Sequence, residues 1–254
     1  MEPVANLGMY DLEELRADQS RLWRAVAAHL TDLGWTGVPD KLLVDVEPAS
    51  LWLHPGLILA QTCGLPFATS LGRRVRYVAT PVYRAEGCQG PAYRSLIVAR
   101  GDLAVKADQV PTGVVAVNDK ESRSGRQALT QLLGCPLEAH FTHVLMTGSH
   151  LNSLTALRVG RANVAAIDCV LWALLARHRP SAIAGVTPIG WSLPAPGLPL
   201  ITAASRSDRE VEDLVSALKE AVRSPALSRT CERLLIEDLI KLPADAYQVL
   251  AALG

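Results

Sequence analysis

VVAVNDKESRSGRQALTQLL, residues 114–133, carries an apolar run, Val114–Val117, through a polar turn into an apolar helical repeat from Gly125 to Leu133. Such a run bounded by turn formers reads as a buried strand, so the segment is a strand, a turn and a helix in that order. The turn holds two serines, an arginine and a glycine, and two readings of it stand. A helix start presents unpaired N–H groups and the positive end of the macrodipole, so an anion placed there gains hydrogen bonds and charge compensation. Ser122 and Ser124 would add hydroxyls, Arg123 and Arg126 positive charge, and Gly125 a backbone that a ligand can approach closely. The plainer reading is capping, in which one serine satisfies the helix and the rest is solvated loop.

Two further segments repeat this grammar. In MTGSHLNSL, residues 146–154, a strand leads through Thr147-Gly148-Ser149 to His150 at a helix start. His150 is there either a donor to a ligand or an ordinary surface histidine. In NVAAIDCVLWALLARH, residues 163–178, a strand ends in Asp168 and feeds straight into an apolar helix. That carboxylate lies at the carboxyl edge of the strand, where open α/β sheets contact ligands, or it only caps its own helix.

Outward from these turns, short apolar runs alternate with helical patterns, which predicts an α/β architecture. Strands are expected at Val4–Met9, Lys41–Val46, Leu57–Gln61, Arg74–Thr80, Ser95–Ala99, His143–Thr147, Val164–Ile167 and Leu198–Thr202. Asp11 and Glu14 have capping-box spacing ahead of Leu12, Leu15, Leu22, Val26, Leu30 and Leu33 at helical spacing. Further helices are expected at Leu151–Val159, Cys169–Arg177 (stopped by Pro180), Asp208–Val222, Ala226–Ile240 and Ala244–Leu253. The Gly- and Pro-rich loop PVYRAEGCQGPAYR (81–94) leads into a strand, Ser95–Ala99, that reads as leaving one lobe for another. WSLPAPGLPLITAAS (191–205) reads as a stiff connector, so the two crossings are expected near Arg100 and near Pro196. The lobes expected are 1–98 plus 196–254, and 99–195. The chain has 254 residues, room for two units of about 100–150 residues each.

Lys and Arg number 25 against 25 Asp and Glu, so no long-range field recruits nucleic acid. No run reaches about 18 apolar residues, and membrane insertion is not expected. MEPVANLGMYDLEEL at the N-terminus lacks the basic start and apolar stretch of a secretory signal. As written the chain reads as cytoplasmic, and as periplasmic if an export signal has been trimmed. Five cysteines, odd in number and without a Cys-x-x-Cys pair, read as reduced thiols. His140 and His143 have no third ligand near them in sequence, so no metal is expected. No cofactor motif and no catalytic signature of the Gly-x-Ser-x-Gly, His-Glu-x-x-His or P-loop kind occurs, and no catalytic residue is assigned. Cys63 in QTCG and His54 are the residues an enzyme would have to use.

Taken together, these segments resemble the phosphonate-type solute-binding proteins of ABC transporters. The carriers are AVNDKESRSG (116–125), similar to the family's Asn-Asp-x-x-Ser-x-Ser-Gly loop; TGSH (147–150), similar to its Gly-x-His turn; and GRANVAAID (160–168), similar to its strand ending in Asp. AYRSLIVAR with Tyr93 looks like the interlobe strand, and APGLPLIT like the return strand. The resemblance implies a two-lobed type II periplasmic-binding-protein fold with two interlobe crossings. It also implies non-catalytic binding of a small anion, a phosphonate, phosphate or phosphate ester, in an interlobe cleft, for transport or sensing, with an ABC transporter permease as partner. By resemblance Tyr93, Ser122, Ser124, Gly125, His150 and Asp168 line the cleft. Arg123, inside the Ser-x-Ser element, departs from the family and bears on charge preference, and the acidic Asp168 suggests a ligand that also carries an amine. Tyr10, Trp52, Gln61 and Thr62 are first-lobe candidates by their places at strand ends. A cytoplasmic metabolic enzyme on the same fold, or an accessory domain with a vestigial cleft, are the other readings.

Overall fold

Apolar runs become strands where turn formers bound them. The structure is a computed structural model and describes residues 2–103, 109–243 and 245–252. Its strands are β1 (Val4–Asn6), β2 (Leu57–Gln61), β3 (Val75–Tyr83), β4 (Ala92–Tyr93), β5 (Ser95–Arg100), β6 (Val114–Val117), β7 (His143–Met146), β8 (Val164–Asp168), β9 (Val186–Trp191), β10 (Ala195–Pro196), β11 (Leu200–Ala203) and β12 (Ile236–Ile240). The chain divides into two units, Met1–Arg84 with Pro196–Gln248, and Ala85–Ala195 with Val249–Gly254.

Unit 1 is built on a sheet of order β1-β2-β11-β3-β12. β1 runs parallel to β2, while β11 is antiparallel to both β2 and β3. All five residues of β2 are buried, as expected of a strand covered on both faces. Helix Arg16–Asp32 buries Leu22, Trp23, Val26 and Leu30 at helical spacing and packs against helix Asp208–Arg223. The second helix carries a capping box: Ser207 Oγ accepts from the Glu210 N–H at 3.2 Å, and Glu210 Oε2 accepts from the Ser207 N–H at 2.7 Å. Ser207→Ala is therefore expected to cost about 1 kcal/mol in urea unfolding; an unchanged midpoint would show that the box contributes nothing.

Four expectations for this unit change. Val4–Met9 is a strand only to Asn6, after which Gly8–Tyr10 forms a 3-10 turn. Asp11 does not cap a helix; its carboxylate binds Arg16 through Nε at 2.8 Å and Nη2 at 2.7 Å, and the helix begins at Arg16. Lys41–Val46 is loop: Leu43 N–H reaches the Ala5 carbonyl at 2.8 Å, but no ladder follows and Leu43, Val44 and Val46 are exposed. The helix expected across Ala226–Ile240 ends at Leu234. Leu235 adopts φ 58°, which takes the chain out of the helix, and β12 then pairs antiparallel with β3. Of the last expected helix, Gln248–Ala252 is helical, and Ala244 and Leu253 lie outside the described residues.

Unit 2 has the sheet order β7-β6-β8-β5-β9. β6 is parallel to both β7 and β8, and β5 is antiparallel to β8 and β9. The passage into this unit follows Arg84, ahead of the expected boundary after residue 98. The reason is that Ser95–Ala99 pairs residue for residue with Asp168–Val164 and so belongs to the middle of the second sheet. Val115, Val117, Leu129, Leu137, Phe141 and Val164 fill the core on one face. Strand β9 was not expected; among the described residues it pairs only with β5, and a proline such as Pro188 is tolerated in an edge strand.

Candidate functional site

The parallel strands β6, β7 and β8 end at one edge of the unit 2 sheet, and a helical turn starts just beyond each. After β6, a π turn, Arg123–Gln127, runs into the helix Ala128–Leu133. After β7 comes His150–Arg158, and after β8 comes Cys169–His178. Three helix starts thus bring their donors to one edge.

At the first, Ser122 caps: its Oγ accepts from the Gly125 N–H at 3.0 Å. The Gly125 amide, expected as a donor to a ligand, is engaged in that cap. A Cβ at residue 125 would overlap Asn118 Oδ1, so any larger residue there has to displace the Asn118 amide. Asn118, not among the expected site residues, is enclosed here with no hydrogen-bond partner for Oδ1 among the described residues. Ser124 Oγ stands 2.7 Å from His150 Nε2 and 3.5 Å from Ser122 Oγ, so two serines and the histidine form one polar chain. Arg123 is 2% exposed, and its Nη2 donates to the Leu193 carbonyl at 3.3 Å. Gln127 braces the same turn through a 2.8 Å bond from Nε2 to the Leu250 carbonyl. Neither Leu193 nor Leu250 could be found by sequence pattern, since each contributes only a carbonyl.

His150 is half-buried, with Nδ1 enclosed. Burial pushes its pKa down to about 4, against the pull of the Ala166 carbonyl, so the ring is neutral at pH 7. A neutral imidazole carries one N–H. The Ser124 hydroxyl therefore either gives its hydrogen to Nε2 or accepts one from it, and in the second arrangement its own hydrogen can point to an anion. The unfolded chain takes up this proton near pH 6.5, the folded one only near 4. Stability from this group is complete above pH 6.5 and is lost as pH falls toward 4, by about 2–3 kcal/mol. Urea midpoints at pH 7 and pH 4.5 are expected to differ less in His150→Gln than in the parent; equal differences would contradict the assignment.

Asp168 is 2% exposed, and its Oδ1 accepts from the N–H groups of Val170 at 2.8 Å and Leu171 at 3.2 Å. The capping reading of Asp168 is thus observed. Tyr93 is buried on β4.

The unit 1 candidates gather at the end of β2. Gln61 Nε2 donates to Tyr83 Oη at 3.1 Å and to the Leu198 carbonyl at 3.2 Å. Tyr83 meets Tyr10 edge to face, with ring centroids 5.4 Å apart. Trp52 Nε1 donates to the Gln61 carbonyl at 3.1 Å, and the Thr62 N–H to Pro199 at 3.0 Å. Tyr83 escaped the sequence reading because β3 was expected to stop at Thr80. His54 Nδ1 accepts from the Gly56 N–H at 3.1 Å and so shapes a local turn. Among the described residues no group of three His, Cys, Asp or Glu is placed to hold a metal, and no helix is long and apolar enough to cross a membrane.

Residues 59–247 match the family described as ABC transporter, phosphonate, periplasmic substrate-binding protein. None of the curated proteins matches the chain. Among solved structures, a binding protein component of an ABC phosphonate transporter from Pseudomonas aeruginosa is similar at TM-score 0.75 and 16% identity, over 100% of this chain and 86% of that one. PhnD1 from Prochlorococcus marinus, in complex with methylphosphonate, is similar at TM-score 0.72 and 14% identity, over 99% and 96%. A Candida albicans protein described as having the generic periplasmic binding protein structural fold is similar at TM-score 0.64 and 10% identity, over 100% and 90%. At these identities the likeness is one of fold, and that fold is the periplasmic-binding-protein fold expected from the sequence.

Proposed function

We infer the ligand from one premise: the chain belongs to the periplasmic substrate-binding proteins of phosphonate ABC transporters. It is accordingly a solute-binding protein rather than an enzyme. Its ligand, in our reading, is a small phosphonate, phosphate or phosphate ester whose oxygens sit against the Ser122–Ser124 turn. The observation that carries this is the polar chain Ser122–Ser124–His150 at the start of a helix, with the Ser124 and His150 atoms 2.7 Å apart. Hydroxyls there can donate to an oxyanion that the helix dipole also favours. Arg123 adds a buried positive charge in the same turn, which favours a ligand of higher negative charge.

Asp168 adds a buried carboxylate at the same sheet edge. It favours a ligand that pairs its oxyanion with an amine, as an aminoalkyl phosphonate does. Tyr10, Gln61, Thr62, Trp52 and Tyr93 are the further residues proposed to touch ligand. The setting proposed is the family's: capture in the periplasm and delivery to an ABC transporter permease.

Thermal unfolding in the presence of phosphate, methylphosphonate, 2-aminoethylphosphonate and sulfate tests this. Ligand at about 100 times its Kd adds about 2.7 kcal/mol of apparent stability. A rise with a phosphonate or phosphate supports the reading, and a larger rise with the amine-bearing compound supports the role of Asp168. No rise with any of the four at millimolar concentration would remove the reading.

A further inference from the structure

Two turns set back to back, in the segment that enters unit 2, place Cys88 against the start of helix Cys169–His178. The Cys88 N–H closes the first on the Ala85 carbonyl at 3.0 Å, and Gly87 at its third position has φ 92°, a conformation open to glycine and strained for other residues. Gln89 and Ala92 exchange backbone hydrogen bonds of 2.9 and 3.1 Å across the second. A Cβ on Gly87 would lie 2.5 Å from Trp191 Cζ3 and 3.1 Å from Cys169 Cβ. The turn is thus pressed onto the indole and onto Cys169, and the position of Cys88 is set by packing on two sides.

The sulfurs of Cys88 and Cys169 stand 3.5 Å apart, 81 residues apart in sequence. A disulfide bond is about 2.0 Å long, so the sulfurs have to approach by about 1.5 Å to form one. Cys88 is half-buried and Cys169 buried. A cavity of about 530 Å³, lined by Glu86, Cys169, Trp172, Arg177 and Trp191 among others, opens on the Cys169 side of the pair, while the half-buried Cys88 is the sulfur that solvent reaches from the loop.

We propose that Cys88 and Cys169 are a redox pair that closes to an intramolecular disulfide, with a low-molecular-weight disulfide as oxidant. Cys88 loses its proton to solvent and its sulfur attacks the oxidant. One oxidant sulfur leaves as a thiolate and takes a proton, and a mixed disulfide remains on Cys88. Cys169 then loses its proton and attacks the Cys88 sulfur, and the second oxidant sulfur leaves and is protonated. Two electrons pass to the oxidant: two protein thiols become one disulfide, and one small disulfide becomes two thiols. The order follows from the environment, since the hydrogen bond with Cys88, burial and the Asp168 carboxylate all push the Cys169 thiol up. The more exposed Cys88 therefore attacks first.

The crosslink joins the segment entering unit 2 to the helix that Asp168 caps. The bacterial periplasm, named in the family description, is a compartment in which disulfides persist.

The test treats the full chain, reduced and then freed of reductant, with glutathione disulfide. Thiols titrated in denaturant are expected to fall from five to three, with a single disulfide-linked peptide pair, carrying Cys88 and Cys169, that separates on reduction. The thermal midpoint is expected to rise by about 5 °C or more and to return on addition of dithiothreitol. Cys88→Ser, a change at a partly exposed loop position, is expected to fold, to form no such link and to show no rise. Five thiols still titrating, glutathione retained on Cys88 with Cys169 reduced, or a link between other cysteines would each overturn the proposal.

Discussion

Replacing Ser122 and Ser124 together by alanine is expected to weaken methylphosphonate binding by about two orders of magnitude or more. A hydrogen bond to a charged group contributes about 1.5–3 kcal/mol, so two lost hydroxyls amount to about 3–6 kcal/mol. Two effects of the change have to be separated. Ser122 also caps the turn, with the Gly125 N–H at 3.0 Å from its Oγ, and losing the cap alone costs about 1 kcal/mol of stability. Ser124 caps nothing and bonds to His150 Nε2 at 2.7 Å. Ser124→Ala alone is therefore expected to change the unfolding free energy by about 1 kcal/mol while losing affinity about 10-fold or more. Calorimetry that finds the double variant binding as tightly as the parent would take the anion away from this turn.

Gly125→Ala is expected to cost about 1–3 kcal/mol of stability, as overpacking does in a closed interior, and to lower phosphonate affinity with it. The added methyl would overlap Asn118 Oδ1 and approach Ser122 Oγ at 3.2 Å. Asn118 lies at the end of β6 and Ser122 is the cap, so either displacement distorts the turn that holds both serines. The interaction is between two residues and is read by a double-mutant cycle. In Asn118→Ala, Gly125→Ala the obstructing amide is gone, and most of the stability lost in Gly125→Ala is expected to return. Additive losses would show that the glycine serves some other purpose.

The difference between what sequence pattern revealed and what it hid follows from the kind of signal each element carries. β6, β8 and the helix starts after them were legible because Val114–Val117 and Val164–Ile167 are uninterrupted apolar runs flanked by turn formers and capping residues. β9 was hidden because an edge strand is only partly buried, and Thr187, Pro188 and Gly190 dilute its pattern. β12 was read as helix because Leu235 leaves the helix at positive φ without the glycine that usually marks such an exit. Lys41–Val46 has strand composition but lies where no ladder completes it, so its apolar residues stay exposed.

At the candidate site, spacing left Ser122, Ser124 and His150 between capping or surface roles and ligand contact, and the family resemblance was what grouped them; the geometry joins them through hydrogen bonds. The pattern gave no hint that Gly125 is needed for Asn118, that Tyr83 closes on Gln61 and Tyr10, or that Arg123 is held by a backbone carbonyl. These depend on tertiary contacts across tens of residues, which local pattern does not encode.

Amide NMR of the labelled protein titrated with methylphosphonate tests the central claim most directly, because it locates the anion without any substitution. The account expects the largest shifts at residues 122–125, with a second group at His150 and its neighbours. Saturable binding that leaves those amides unmoved while others shift would contradict it.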